Sequence, residues 1–126
     1  VLADAPAVAH EVSRAWNRLV VTEGRLAVDE LAREVGWSRR HLTQRFHGEL
    51  GLTPKAAGRV LRFERAVRLL RRSAPPGLAE IAHACGYYDQ AHMNREWRAL
   101  AGRSPTGWLA EELPNIQDGT SVPRQA

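Results

Sequence analysis

Residues 30–46 read ELAREVGWSRRHLTQRF, and residues 80–97 read EIAHACGYYDQAHMNREW. The two overlay at a shift of 50 up to the turn, with Glu30 on Glu80, Leu31 on Ile81, Ala32 on Ala82 and Gly36 on Gly86. Beyond it the shift is 51: Ser38 meets Asp89, Leu42 meets Met93, Phe46 meets Trp97, Gly51 meets Gly102, Thr53 meets Ser104 and Pro54 meets Pro105. The second copy therefore carries one extra residue in its turn. Two copies make a duplicated supersecondary unit, not a solenoid.

Within each copy a small residue, Ala32 or Ala82, precedes by one turn a glycine that ends the first helix. Alanine permits close helix contact, and Gly36 and Gly86 are expected at positive φ, where a side chain would cost energy. Leu42 with Phe46, and Met93 with Trp97, stand four apart and so share the face that packs on the preceding helix. This pattern is a helix-turn-helix, whose second helix presents its N-terminal half to the DNA major groove. One such hairpin is a common motif; two in register beside a basic face are far more specific.

Working outward, apolar residues recur at three and four throughout and nowhere alternate, so the expected fold class is all-α with seven helices. The first runs from about Pro6 to Val21, with Val8, Val12, Ala15, Trp16, Leu19 and Val20 inward and Gly24 just beyond. The second covers 28–35, the third opens at the N-cap Ser38, and the fourth is long, 54–72. SAPPG at 73–77 breaks the chain. The fifth covers 78–85, the sixth opens at the N-cap Asp89, and the seventh follows Ser104-Pro105 to about Leu113. The expected organisation is two helix-turn-helix subdomains, 6–53 and 77–113, joined by a linker helix over 54–72, with a polar, disordered tail over 114–126. Gly58 inside the linker costs about 0.5 to 1 kcal/mol against alanine, which predicts a soft start to that helix.

Charge points to a polyanion. Between Gly36 and Arg72 ten basic residues face two acidic ones, so that stretch carries +8 while the whole chain carries +4. The leading partner is nucleic acid, with a solvated charged face as the plain alternative. No run approaches the roughly 18 apolar residues of a membrane span, and VLADAPAVAH has no basic segment ahead of an apolar one. No membrane association and a cytoplasmic location are expected. The chain starts at Val1, as a piece of a longer protein would. Cys85 alone makes no disulfide, and its apolar surroundings suit a core residue. The histidines show no i,i+4 metal pair, and Glu111 and Glu112 face different directions, so neither a metal, a cofactor nor a catalytic site is expected.

With Leu42 and Phe46 inward, the outward residues of the third helix are Arg39, Arg40, Thr43, Gln44 and His47; the shift of 51 gives Gln90, Ala91, Asn94, Arg95 and Arg98 in the sixth. These are side-chain types that read base edges: Arg for guanine, Asn or Gln for adenine, Thr for an edge or a thymine methyl. Base reading is assigned to Arg40, Thr43 and Gln44 in one groove and to Gln90, Asn94 and Arg95 in the next. Phosphate contact is assigned to Arg39, His47 and Arg98, and to Ser38 and Asp89 through backbone N–H groups at the helix starts. A helix over 54–72 spans about 28 Å, against about 34 Å between successive major grooves on one face of B-DNA. That match predicts a monomer reading an asymmetric double-stranded site.

The seven-helix order, DQAHMNREWRALAGRSP at Asp89 to Pro105 and RFERAVRLL at Arg62 to Leu70 resemble the DNA-binding domain of the AraC/XylS family of bacterial transcription regulators, over roughly Val8 to Ala110. The resemblance implies sequence-specific promoter binding, as a rule activation through RNA polymerase, and often a separate N-terminal effector or dimerisation domain. Arg62 matches an arginine of the family's connector and is assigned to phosphate, with an internal partner as the open alternative. The chain departs from the family pattern where Met93 and Trp97 replace Phe, where Ala57 stands at the position matching Trp108, and where Leu109 replaces an Arg. A DNA-positioning module of a repair alkyltransferase would share such a domain but would need a reactive cysteine, and Cys85 does not qualify.

Overall fold

Every helix of the molecule follows an apolar stripe at three- and four-residue spacing, and most begin at a residue able to cap it. The computed structural model describes residues 8–120, and side chains over 8–112. Among the described residues there are seven helices and no strand: α1 (His10–Thr22), α2 (Val28–Val35), α3 (Arg39–Leu50), α4 (Pro54–Leu70), α5 (Leu78–Ala84), α6 (Gln90–Ala101) and α7 (Pro105–Thr120). The all-α expectation holds. The chain divides into two units whose boundary falls between Ala66 and Val67, inside α4.

In the first unit α1, α2 and α3 pack on one another around Val12, Ala15, Leu19, Leu31, Ala32, Val35, Leu42 and Phe46, with Ala57 of α4. The inward stripe of α1 is narrower than expected. Val8, Trp16 and Val20 are 42%, 39% and 42% exposed, because Val12, Ala15 and Leu19 alone fill the seam and the next positions fall on its flank. Trp16 still covers Phe46 from that flank, at 6.4 Å between ring centroids. The helix itself starts at His10, behind Ala9; Pro6, its expected first residue, lies outside the described residues.

The turn after α1 lies directly on α4 and requires Gly24. Glu23 and Gly24 are both left-handed, at φ 53° and 76°, and a Cβ on Gly24 would lie 2.4 Å from the Gly58 carbonyl oxygen. Backbone meets backbone there, so the α1–α2 turn approaches α4 this closely only because Gly24 lacks a side chain; a Cβ on Gly58 would come no nearer than 3.2 Å, to Arg62 Nη1 at the end of a flexible stem. Arg62 locks the approach: its Nη1 donates to the Gly24 carbonyl at 2.9 Å. Arg65, one turn later in α4, pairs with Glu23.

In the second unit α6 packs against α5 and α7. Ile81, Ala82, Cys85, Tyr87, Met93 and Trp97 are buried, and Trp97 meets Trp108 of α7 edge to face at 5.5 Å. The duplication reaches into the caps. Thr53 Oγ1 accepts from the Ala56 N–H at 3.1 Å and Ser104 Oγ from the Gly107 N–H at 3.2 Å, while Pro54 and Pro105, each the first residue of its helix, are both fully buried. Proline suits that position because its missing donor has no helical partner there.

Three ends differ from the expected ones. Helix α4 stops at Leu70 and α5 at Ala84, with Cys85 as its C-cap. Helix α7 continues through Pro114 to Thr120, where a disordered tail was expected from residue 114. The fixed φ of proline is itself helical, and no glycine follows until Gly119. Residues 121–126 lie outside the described residues. No helix among the described residues is long and apolar enough to cross a membrane. Trp97→Ala should destabilise the fold by about 3 to 5 kcal/mol, since a fully buried indole leaves a void beside Trp108; a melting temperature equal to wild type would remove Trp97 from the core.

Candidate nucleic-acid interface

Both turns use one backbone device. Gly36 and Gly86 sit at φ 81° and 85°; the Trp37 N–H donates to the Ala32 carbonyl and the Tyr87 N–H to the Ala82 carbonyl, each at 3.0 Å. A Cβ on Gly36 would meet nothing within 4 Å, so glycine is required there for its dihedral, not for space. The next helix is then capped by a side chain: Ser38 Oγ accepts from the His41 N–H at 3.0 Å, and Asp89 Oδ1 from the His92 N–H at 2.8 Å. Each cap leaves other first-turn N–H groups of α3 and α6 unbonded within the helix, facing whatever anion approaches.

On α3, Arg40, Gln44 and His47 follow one another at four and three residues on the exposed face, with Thr43 half-buried at its edge. Ser38 is exposed at the cap, and Arg39 is exposed but paired with Asp29 at 3.1 Å. An open ion pair of this kind contributes only about 0 to 1 kcal/mol, so a phosphate can displace Asp29. On α6 the corresponding line is Ala91, Arg95 and Arg98, all exposed, flanked by exposed Gln90 and half-buried Asn94. The second helix therefore has alanine where the first has Arg40. One end of the Asn94 amide, Oδ1, is closed off from solvent with no hydrogen-bond partner.

Arg62 has an internal partner: its guanidinium is half-buried and donates to the Gly24 carbonyl, the internal alternative set beside its assignment to phosphate. Other guanidiniums of the basic stretch are also turned to protein. Arg45 lies 5.3 Å over the Trp37 ring and pairs with Glu49 at 2.7 Å, Arg65 pairs with Glu23, and Arg71 covers Trp108 at 5.3 Å and meets Glu112 at 3.4 Å. Part of the +8 read from sequence therefore also holds protein to protein. Arg40, Lys55, Arg68 and Arg72 of that stretch are exposed, as are Arg95 and Arg98 of α6.

Sequence reading missed what braces the two outward helices. In the first unit the His41 ring stands edge-on to Trp37 at 4.4 Å, and Arg45 covers the same indole. In the second, His92 stands edge-on to Tyr87 at 5.4 Å, its Nδ1 accepts from the Tyr88 N–H at 2.9 Å, and its Nε2 faces Glu96 Oε2 at 3.0 Å. Accepting at Nδ1 puts the neutral ring's proton on Nε2, so Glu96 receives it. His92 and Glu96, four apart on one helix, were the signal available for the second of these.

Glu49 ties α3 to the start of α1. Its Oε1 accepts from the Ala9 N–H at 2.7 Å and its Oε2 from Arg45. The Ala9 N–H first, then Arg45, hold its carboxyl below the usual carboxylate range. Arg18 does the same for Glu34 between α1 and α2. A depressed pKa contributes stability above the ordinary carboxylate range, and that contribution is lost as pH falls through the lowered value. Glu49→Gln should therefore flatten the acid limb of a stability-against-pH curve while keeping an acceptor for Ala9; an unchanged acid limb in thermal melts would show that Glu49 does not supply it.

A duplicated helix-turn-helix with polar, capped and outward-facing second helices defines a DNA-binding module. A family model described as a helix-turn-helix domain matches residues 31–111. The DNA-binding domain of AdpA, a global transcriptional factor solved in complex with a target DNA, has a similar fold, with a TM-score of 0.70 at 23% identity over 82% of this chain and 93% of that one. A regulator from Chromobacterium violaceum with an AraC-type DNA-binding domain gives a TM-score of 0.64 at 28% identity, over 80% of this chain and 90% of that one. The probable thc operon regulatory protein of Rhodococcus erythropolis is 34% identical over 83 residues, 64% of this chain and 25% of that protein. The chain spans about a quarter of the length of the curated relatives it matches. It belongs to the AraC-type helix-turn-helix family, as a DNA-binding domain of a transcription regulator.

Proposed function

We propose that this domain binds promoter DNA sequence-specifically as a monomer, with α3 and α6 in successive major grooves. Base reading falls to Arg40, Thr43 and Gln44 in one groove and to Gln90, Asn94 and Arg95 in the other. Arg39, His47 and Arg98, with the N–H groups behind Ser38 and Asp89, hold phosphates. The observation that carries this reading is the repeated device of glycine turn, side-chain cap and outward Arg, Gln, Thr and Asn residues, present once in each unit. The single helix α4, 17 residues and so about 25 Å long, supports engagement of two neighbouring grooves.

The family resemblance supports a role in activation through RNA polymerase. The quarter-length match to relatives supports a larger protein in which this module is the C-terminal part, preceded by an effector or dimerisation domain. Selection of bound duplexes from a random DNA pool tests the DNA reading directly: two conserved blocks about one helical turn apart, without a palindrome, are expected. A single block, or no enrichment, would overturn the two-groove monomer.

Arg40→Ala should weaken binding to the selected duplex by about 1 to 3 kcal/mol and relax preference at one base pair. An unchanged sequence profile would take Arg40 out of base reading. Binding should also fall steeply with salt, in proportion to the phosphates neutralised; a flat response in titrations at rising salt would contradict contact with the DNA backbone.

A further inference from the structure

The extra residue that breaks the register of the duplication is Tyr88. In the first unit Trp37 runs directly into the cap Ser38, whereas Tyr87 and the cap Asp89 are separated by one residue. Tyr87 takes the structural place of Trp37, with the same bond to the preceding alanine carbonyl and a histidine edge-on to its ring. Tyr88 is then left without a role in packing and is 91% exposed. An isolated exposed ring needs no explanation by itself; its position and its fixed backbone do.

That backbone is not loose. The Tyr88 N–H is bonded to His92 Nδ1, the next residue caps α6, and His92 is itself held by Tyr87 on one side and Glu96 on the other. The side chain is thus presented from a braced turn immediately before the first residue of α6. Its chemistry also suits the place. Asp89 carries a negative charge that a phosphate would repel, and a guanidinium one residue earlier would compete with the cap for that carboxylate. A phenol gives an uncharged O–H donor, one of the side-chain types that bond phosphate oxygens.

We infer that Tyr88 is a phosphate contact of the second unit with no counterpart in the first, anchoring the DNA backbone at the N-terminal end of α6. This rests on α6 being the DNA-facing helix of its unit. His92 acts as a positioning residue, since it holds the turn that presents the phenol.

The test measures affinity of the 126-residue chain for the strongest duplex recovered from the random pool, in wild type and in Tyr88→Phe, Tyr88→Ala, Arg95→Ala and Arg98→Ala. Tyr88→Phe should lose about three- to tenfold, as expected for one hydrogen bond, with the preferred sequence unchanged. Because a phenol displaces no counterion, the slope of log affinity against log salt should stay at the wild-type value, while Arg98→Ala should lower it by about 1. Tyr88→Phe with wild-type affinity, or with a changed sequence preference, would overturn the phosphate assignment. If Arg95→Ala and Arg98→Ala also bind as wild type, the failure lies in the reading of α6; if they weaken binding and Tyr88→Phe does not, it lies with Tyr88 alone. Tyr88→Ala with an unaltered melting temperature keeps the turn's stability separate from these losses.

Discussion

In each unit the chain leaves its first helix through one residue with φ above 80°, and the next N–H turns back to the carbonyl of an alanine five residues earlier. That single reversal fixes the direction in which the following helix departs. Only then can Leu42 and Phe46, or Met93 and Trp97, drop into the core while the opposite face of the same helix is left to water. A side chain at the glycine would disfavour the left-handed dihedral even where space is free, as it is at Gly36. Capping, packing and exposure of the reading residues all follow from that angle.

The two units solve the same problem with different chemistry. The first braces its reader with a stack of a histidine edge and a guanidinium on Trp37. The second uses a chain of hydrogen bonds from Tyr88 through His92 to Glu96. The position of Arg45 in one and Glu96 in the other marks the difference: a cation that covers an indole has become a buried carboxylate that accepts from an imidazole. Ala91, at the position matching Arg40, extends the asymmetry to the outward face.

The close pair Gly24 and Gly58 is a second constraint, confined to the first unit. A glycine inside a helix weakens it locally, and on sequence grounds Gly58 was a defect. In the folded chain it is the bare Cα of Gly24 that lets a left-handed turn lie directly on the Gly58 carbonyl of α4, where Arg62 and Arg65 then bind the turn's own oxygen atoms.

Much of the architecture was legible in the linear pattern. Helix spacing, the two glycine stops, the caps Ser38 and Asp89 and the anchors four residues apart are local features, each set within one or two turns of backbone. So is the outward face of α3 and α6, because a helix with two fixed inward positions has its other positions fixed as well. What local pattern could not decide was the allegiance of each long charged side chain. Arg40 and Arg62 are alike in sequence, yet one is exposed and the other is bonded to Gly24. A guanidinium at the end of a flexible stem finds its partner from whatever the fold brings within reach, and residues 38 apart in the chain meet only in three dimensions. The narrow stripe of α1 has the same origin: how many of its apolar residues are covered depends on the helices laid against it. The sequence by itself determined the seven helices and the outward faces of α3 and α6; tertiary structure alone decided which arginines hold the protein and which are left facing outward.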